Sequence, residues 1–181
     1  MRGPRTWLLV LFLLLTLIGL VAVNWVESDN GSLCLRSSQV QMQFATDPVV
    51  VRKLLGCWGE AGRAAVLRGI HVDFLLILGY APLLFLLVLR ASREHAGHGR
   101  LWRPLGLLLA LAPLLAGGLD VIENLWLLRI IGERATDIAP ERLILLTQVK
   151  WGLVALALAY LLVALLTWYA RPPRPLGETG P

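Results

Sequence analysis

Three acidic residues and a lysine stand inside otherwise apolar stretches of this 181-residue chain: Asp73, Asp120, Glu123 and Lys150, with Tyr80 and Asn124 in the same stretches. An ionised group near a bilayer centre costs about 2.5–3.5 kcal/mol even on lenient insertion scales. Such groups therefore turn inward, pair with one another and mark functional sites. Three carboxyls against one ammonium leave an excess of acid. Either some carboxyls keep their protons, because desolvation and like-charge repulsion oppose ionisation, or a cation completes the site. Lys150 stands out because arginine is the usual base of this chain, Lys53 and Lys150 being the only lysines among 17 basic residues. A buried lysine can give up its proton, whereas arginine effectively cannot.

The elements that must position these groups are long and hydrophobic. The composition is 57% hydrophobic, and the apolar residues are contiguous in Trp7–Val26, Ile70–Leu89, Leu105–Leu128 and Leu143–Tyr169. Each reaches the ~20 residues needed to cross hydrocarbon as a helix. They are apolar nearly all round rather than along one stripe, which distinguishes them from the helices of a soluble domain. The first stretch follows Arg2 and Arg5 as a signal peptide would, but its run is longer than the usual h-region and no A-x-A site follows it. It reads as a retained helix.

Lysine and arginine counts tie between the two sides, with eight on each when the spans are drawn this way. Weight near the span ends breaks the tie. Four arginines crowd the 90–104 loop, and two precede the first stretch, with no further basic residue until Arg36. The expected topology has both termini cytoplasmic, the 27–69 and 129–142 segments outside, and residues 171–181 as a flexible cytoplasmic tail. Depth then follows from the ~1.5 Å rise per residue: Asp73 lies ~5 Å below its outer span end, Glu123 ~7 Å, Lys150 ~10 Å and Asp120 ~12 Å. All four occupy the outer half of the membrane. Asp120, Glu123 and Asn124, at i, i+3 and i+4, share a face, as do Asp73 and Tyr80. Thr147, Lys150 and Trp151 share another. Gly117-Gly118 allows close helix approach or a kink.

The outer segment has its own pattern. Gln39–Phe44 alternates polar and apolar residues, which predicts a short β-strand, with Leu33–Leu35 as a hairpin partner. An edge strand without a task and pairing between protomers both remain open. Asp47-Pro48 reads as an N-cap with proline at the first helical position. It opens an amphipathic interfacial helix over about 47–68, carrying Trp58, either a packing element or a lid over the polar cluster. Cys34 and Cys57 both fall on the outer side, as one disulfide or two idle thiols, and neither belongs to a C-x-x-C motif.

Several chemistries are excluded. His71 is the only histidine in a span, so bis-histidine haem ligation is ruled out. His71, Asp73 and Glu123 remain a weak candidate for a carboxylate-rich metal site. The chain has no Ser-His-Asp arrangement, phosphate-cradling glycine loop or paired-cysteine zinc motif, and its +5 net charge reflects loop arginines rather than a nucleic-acid surface. No cofactor is expected.

These residues resemble a recurring set of small bacterial membrane proteins with four predicted helices and no known activity. The matching features are Trp58, Asp73-Phe74 with Tyr80, Leu119-Asp120-Val121-Ile122-Glu123-Asn124 and Lys150. The resemblance spans roughly residues 40–165, and only the L-D-x-x-E-N motif is specific. The sequence thus predicts an all-α, four-helix membrane bundle over residues 1–170 in a bacterial cytoplasmic (inner) membrane. Its first functional reading is a structural or subunit role, with a homo-oligomer or a membrane-complex partner open. Binding or processing of a lipid-like molecule at Asp73, Tyr80, Asp120, Glu123, Asn124 and Lys150 is the alternative, and proton or cation translocation the second. Whether the chain is an enzyme is left open.

Overall fold

A computed structural model describes residues 6–28, 38–45, 47–94, 102–132 and 140–170. Five helices follow in order: α1 (Thr6–Ser28), α2 (Ser38–Gln43), α3 (Pro48–Glu94), α4 (Trp102–Gly132) and α5 (Pro140–Tyr169). All but α2 are long and apolar enough to cross a membrane, and the chain is a multi-pass membrane protein. The architecture is all-α. Helix α4 packs against both α3 and α5, α1 packs chiefly on α3, and α2 lies against α3 and α5.

Residues predicted as a strand form α2 instead, and no strand occurs among the described residues. Six alternating residues satisfy a period of two, but they also fill one and a half helical turns. Local bonds decide the matter: Phe44 N donates to the Val40 carbonyl and Ala45 N to the Met42 carbonyl, each at 3.2 Å. A lone strand would have left those groups unpaired. Met42 and Ala45 are buried against Val51, Leu55, Trp58, Ile70, Leu127 and Leu143, so α2 caps one end of the bundle. The proposed hairpin partner, Leu33–Leu35, lies outside the described residues, as do the 171–181 tail and residues 95–101 of the loop.

Asp47 opens α3 as an N-cap, its Oδ1 accepting from Val49 N at 2.6 Å. The division within α3 falls at Gly59, not near residue 69, where the sequence had separated an interfacial helix from a span. Gly59 has φ 59° and ψ −165°, a backbone conformation open essentially to glycine. The break frees carbonyls at the end of the first arm. Arg63 reaches back to the Leu55 carbonyl with Nε at 3.0 Å and Nη2 at 2.9 Å, which satisfies one of them. From residue 60 the helix runs without interruption to Glu94. The long helices therefore extend beyond the predicted spans, and Arg90 and Glu94, expected in a loop, form an exposed i,i+4 pair at 2.8 Å.

Small residues set the crossings. A Cβ built on Gly19 would lie 2.7 Å from Leu76 Cα, and one on Gly79 would strike the Thr16 backbone, so α1 and α3 touch backbone to backbone. One on Gly117 would come within 2.8 Å of Ala81 Cβ, bringing α4 close to α3 one turn from Asp120. Gly118 beside it meets open space. The pair therefore serves approach through Gly117 alone, and α4 stays helical throughout. At the other end of the bundle, Val88, Ala110, Ala157 and Tyr160 form a second apolar cluster.

Candidate functional site

Helix α4 presents Asp120, Glu123 and Asn124 on one face, and its two neighbours supply the partners. Lys150 of α5 places Nζ 2.7 Å from Asp120 Oδ1 and 3.0 Å from Glu123 Oε1. Tyr80 of α3 donates its hydroxyl to the other Asp120 oxygen at 2.9 Å. Asn124 Nδ2 donates to Asp73 Oδ2 of α3 at 2.8 Å. The Thr147 hydroxyl lies 2.8 Å from Glu123 Oε2 and 3.0 Å from the Leu143 carbonyl, so its single proton serves one acceptor or is shared between them. The network runs from Tyr80 through Asp120 and Lys150 to Glu123 and Thr147, and ties three helices together at one level.

Depth within the protein divides this network in two. Glu123, Asn124 and Thr147 are completely buried, at 0% exposure. Asp73, Tyr80, Asp120 and Lys150 instead line a cleft of about 590 Å³. Its walls are Thr16, Leu20 and Val23 of α1, Leu76 and Leu84 of α3, and Trp151, Val154 and Leu158 of α5, while Val40 and Gln43 of α2 stand at one end. The cleft exists because α1 packs on α3 and α5 packs on α4, which leaves the two outer helices apart across the polar face. Lys150 Nζ also lies 5.6 Å from the centre of the Trp151 ring, within cation–π range.

The structure brings together six residues singled out from the sequence, Asp73, Tyr80, Asp120, Glu123, Asn124 and Lys150. It leaves His71 out. That side chain is exposed and its Nδ1 lies 2.6 Å from the Leu67 carbonyl of its own helix, whereas Glu123 is completely buried. No three His, Cys, Asp or Glu side chains among the described residues are arranged to hold a metal ion, so the His71–Asp73–Glu123 candidate is withdrawn. Cys57 is disulfide-bonded. Cys34, the other cysteine of the chain, lies outside the described residues.

Three contributors were not assigned to the site from sequence. Thr147, one turn before Lys150 on the same face, is the partner of Glu123, and its spacing was the available signal. Gln43 was hidden by the strand reading. The α1 wall carries no charged residue, so a search for ionisable groups passes over it. No protein-family model matches the chain, and neither does any curated protein or solved structure.

Proposed function

We propose that the cleft binds a lipid-like amphiphile, with its polar end on Asp73, Tyr80, Asp120 and Lys150 and its apolar part along α1, α3 and α5. One observation carries this reading: Asp73, Asp120 and Lys150, which could have been sealed within the bundle as Glu123 is, form the floor of a roomy apolar-walled cleft. A few convergent polar groups in a largely apolar cavity of several hundred Å³ is the usual composition of a small-molecule site. The fully buried half of the network supports the structural reading at the same time. Glu123, Asn124 and Thr147 do not line the cleft, and we assign them the task of holding α3, α4 and α5 in register. In the setting we propose, a bacterial inner membrane with both termini cytoplasmic, α2 and the first arm of α3 lie outside and the cleft opens in the outer leaflet.

The test is native mass spectrometry of protein extracted in mild detergent. Val154→Trp fills the cleft, whereas Leu115→Trp alters an exposed face of α4. Wild type and Leu115→Trp should retain a bound amphiphile that Val154→Trp loses. Equal retention by all three proteins would refute a cleft site.

A further inference from the structure

We propose, resting on the reading of the cleft as an amphiphile site, that Gln43 of α2 selects the head group. That head is an uncharged ester bearing a free hydroxyl, of the glycerol ester kind.

Gln43 is only 6% exposed and lines the cleft, and its side chain makes no hydrogen bond among the described residues. A buried amide is normally satisfied, so one left without a partner calls for an explanation. Nor is this amide sealed in protein. Tyr160 Oη is the one fully enclosed side-chain polar atom without a partner among the described residues. The small surface left to Gln43 therefore includes its amide. Met42 and Ala45, to either side, are buried in the apolar cluster and hold α2 in place.

The chemistry of the two polar contacts defines the head. An amide offers one acceptor oxygen and two N–H donors, and no charge. A charged group beside it would lose water without gaining a counter-ion from Gln43. A hydroxyl fits, because it donates to Oε1 and accepts from Nε2. Lys150 supplies the second point. Its Nζ donates to Asp120 and Glu123, and an ammonium has three N–H donors, so one is left for an oxygen acceptor in the cleft. The Trp151 ring, 5.6 Å from Nζ, attracts the cation but offers no oxygen lone pair. An ester carbonyl does. Ile70, Leu127 and Leu143, in the cluster that holds Met42, stand three residues from Asp73, three from Asn124 and seven from Lys150, which sets α2 ~5–10 Å from the polar floor. A glycerol ester bridges such a distance from its carbonyl to its far hydroxyl.

The apolar walls run the other way. Leu84 stands 11 residues beyond Asp73 on α3 and Leu158 eight beyond Lys150 on α5, so lining side chains continue ~12–16 Å from the floor. That distance suits a single medium-length acyl chain.

The experiment uses the full chain in nanodiscs of zwitterionic phosphatidylcholine, with 1-dodecanoylglycerol, methyl dodecanoate and dodecanoate as probes that share a tail. Thermal unfolding is followed against probe concentration for wild type, Val154→Trp and Gln43→Met, the last keeping the side-chain length without the amide. The glycerol ester should stabilise wild type with an apparent affinity about tenfold above either other probe, as two net hydrogen bonds would give. Gln43→Met should reduce it to the level of methyl dodecanoate and leave methyl dodecanoate unchanged. Val154→Trp should respond to none of the three. If methyl dodecanoate or dodecanoate matches the glycerol ester on wild type, or if Gln43→Met keeps the preference, the head-group assignment is overturned, while loss of response in Val154→Trp leaves the cleft reading standing. If Val154→Trp responds to every probe as wild type does, both fail. Should Gln43→Met not fold, Gln43→Asn, which draws the amide back by one methylene, should lose the same preference, and its retention overturns the assignment.

Discussion

Lys150 Nζ lies 2.7 Å from Asp120 Oδ1 across the α4–α5 crossing, and the same ammonium reaches Glu123 one turn further along α4. One lysine thus holds two carboxylates of a neighbouring helix. Removing it should expose both to each other. Lys150→Met is expected to destabilise the protein by about 3–5 kcal/mol, the usual cost of breaking a buried pair from one side. Adding Asp120→Asn or Glu123→Gln should recover part of that loss. The measurement is a double-mutant cycle on thermal stability in detergent, and strictly additive losses would show that these groups are not coupled.

Gly59 and Gly118 are both exposed glycines within long helices, and neither would meet another atom on gaining a Cβ. They differ only in backbone. Gly59→Ala should cost about 1–3 kcal/mol because its φ of 59° with extended ψ is strained for any other residue. Gly118→Ala, in regular helix, should be neutral or stabilise by up to about 1 kcal/mol. Equal effects in the two melting curves would place the break of α3 elsewhere.

The disulfide at Cys57 makes a chemical prediction. In protein extracted without reductant, the Cys57 peptide should resist alkylation, and mapping should join it to the Cys34 peptide. Cys57→Ser should lower stability by about 3 kcal/mol, for closure of the 34–57 loop. Free alkylation of both thiols would contradict this.

Orientation is tested with reporter fusions. Alkaline phosphatase joined after residue 45 should be active, and joined after residue 95 inactive. The reverse pattern would move the cleft to the cytoplasmic leaflet and leave its geometry unchanged.

The four spans were legible because contiguous apolar runs have few other uses, and the meeting of Asp120, Glu123 and Lys150 because charges at one depth in hydrocarbon have few other options. What escaped was decided by other forces. The alternation of Gln39–Phe44 suits a strand only if a partner strand exists, whereas residues 38–43 close their own helical bonds and bury Met42. The break at Gly59 depends on one backbone conformation, and the pattern of apolar residues runs past it unchanged. The cleft was invisible for a different reason. It is set by how far α1 stands from α5, and Gly19 and Gly79, which fix α1 on α3, look like ordinary helix glycines until their neighbours are known.

The most direct test of the cleft as an amphiphile site is photo-crosslinking in the native membrane. A benzophenone amino acid at Leu158 lies in the cleft wall, and one at Leu115 lies on the exposed face of α4. Leu158 should capture a discrete amphiphile that competes with an added single-chain amphiphile, and Leu115 the bulk phospholipids in proportion to their abundance. The same lipid mixture at both positions, unaffected by competitor, would show that the cleft is merely filled by surrounding bilayer.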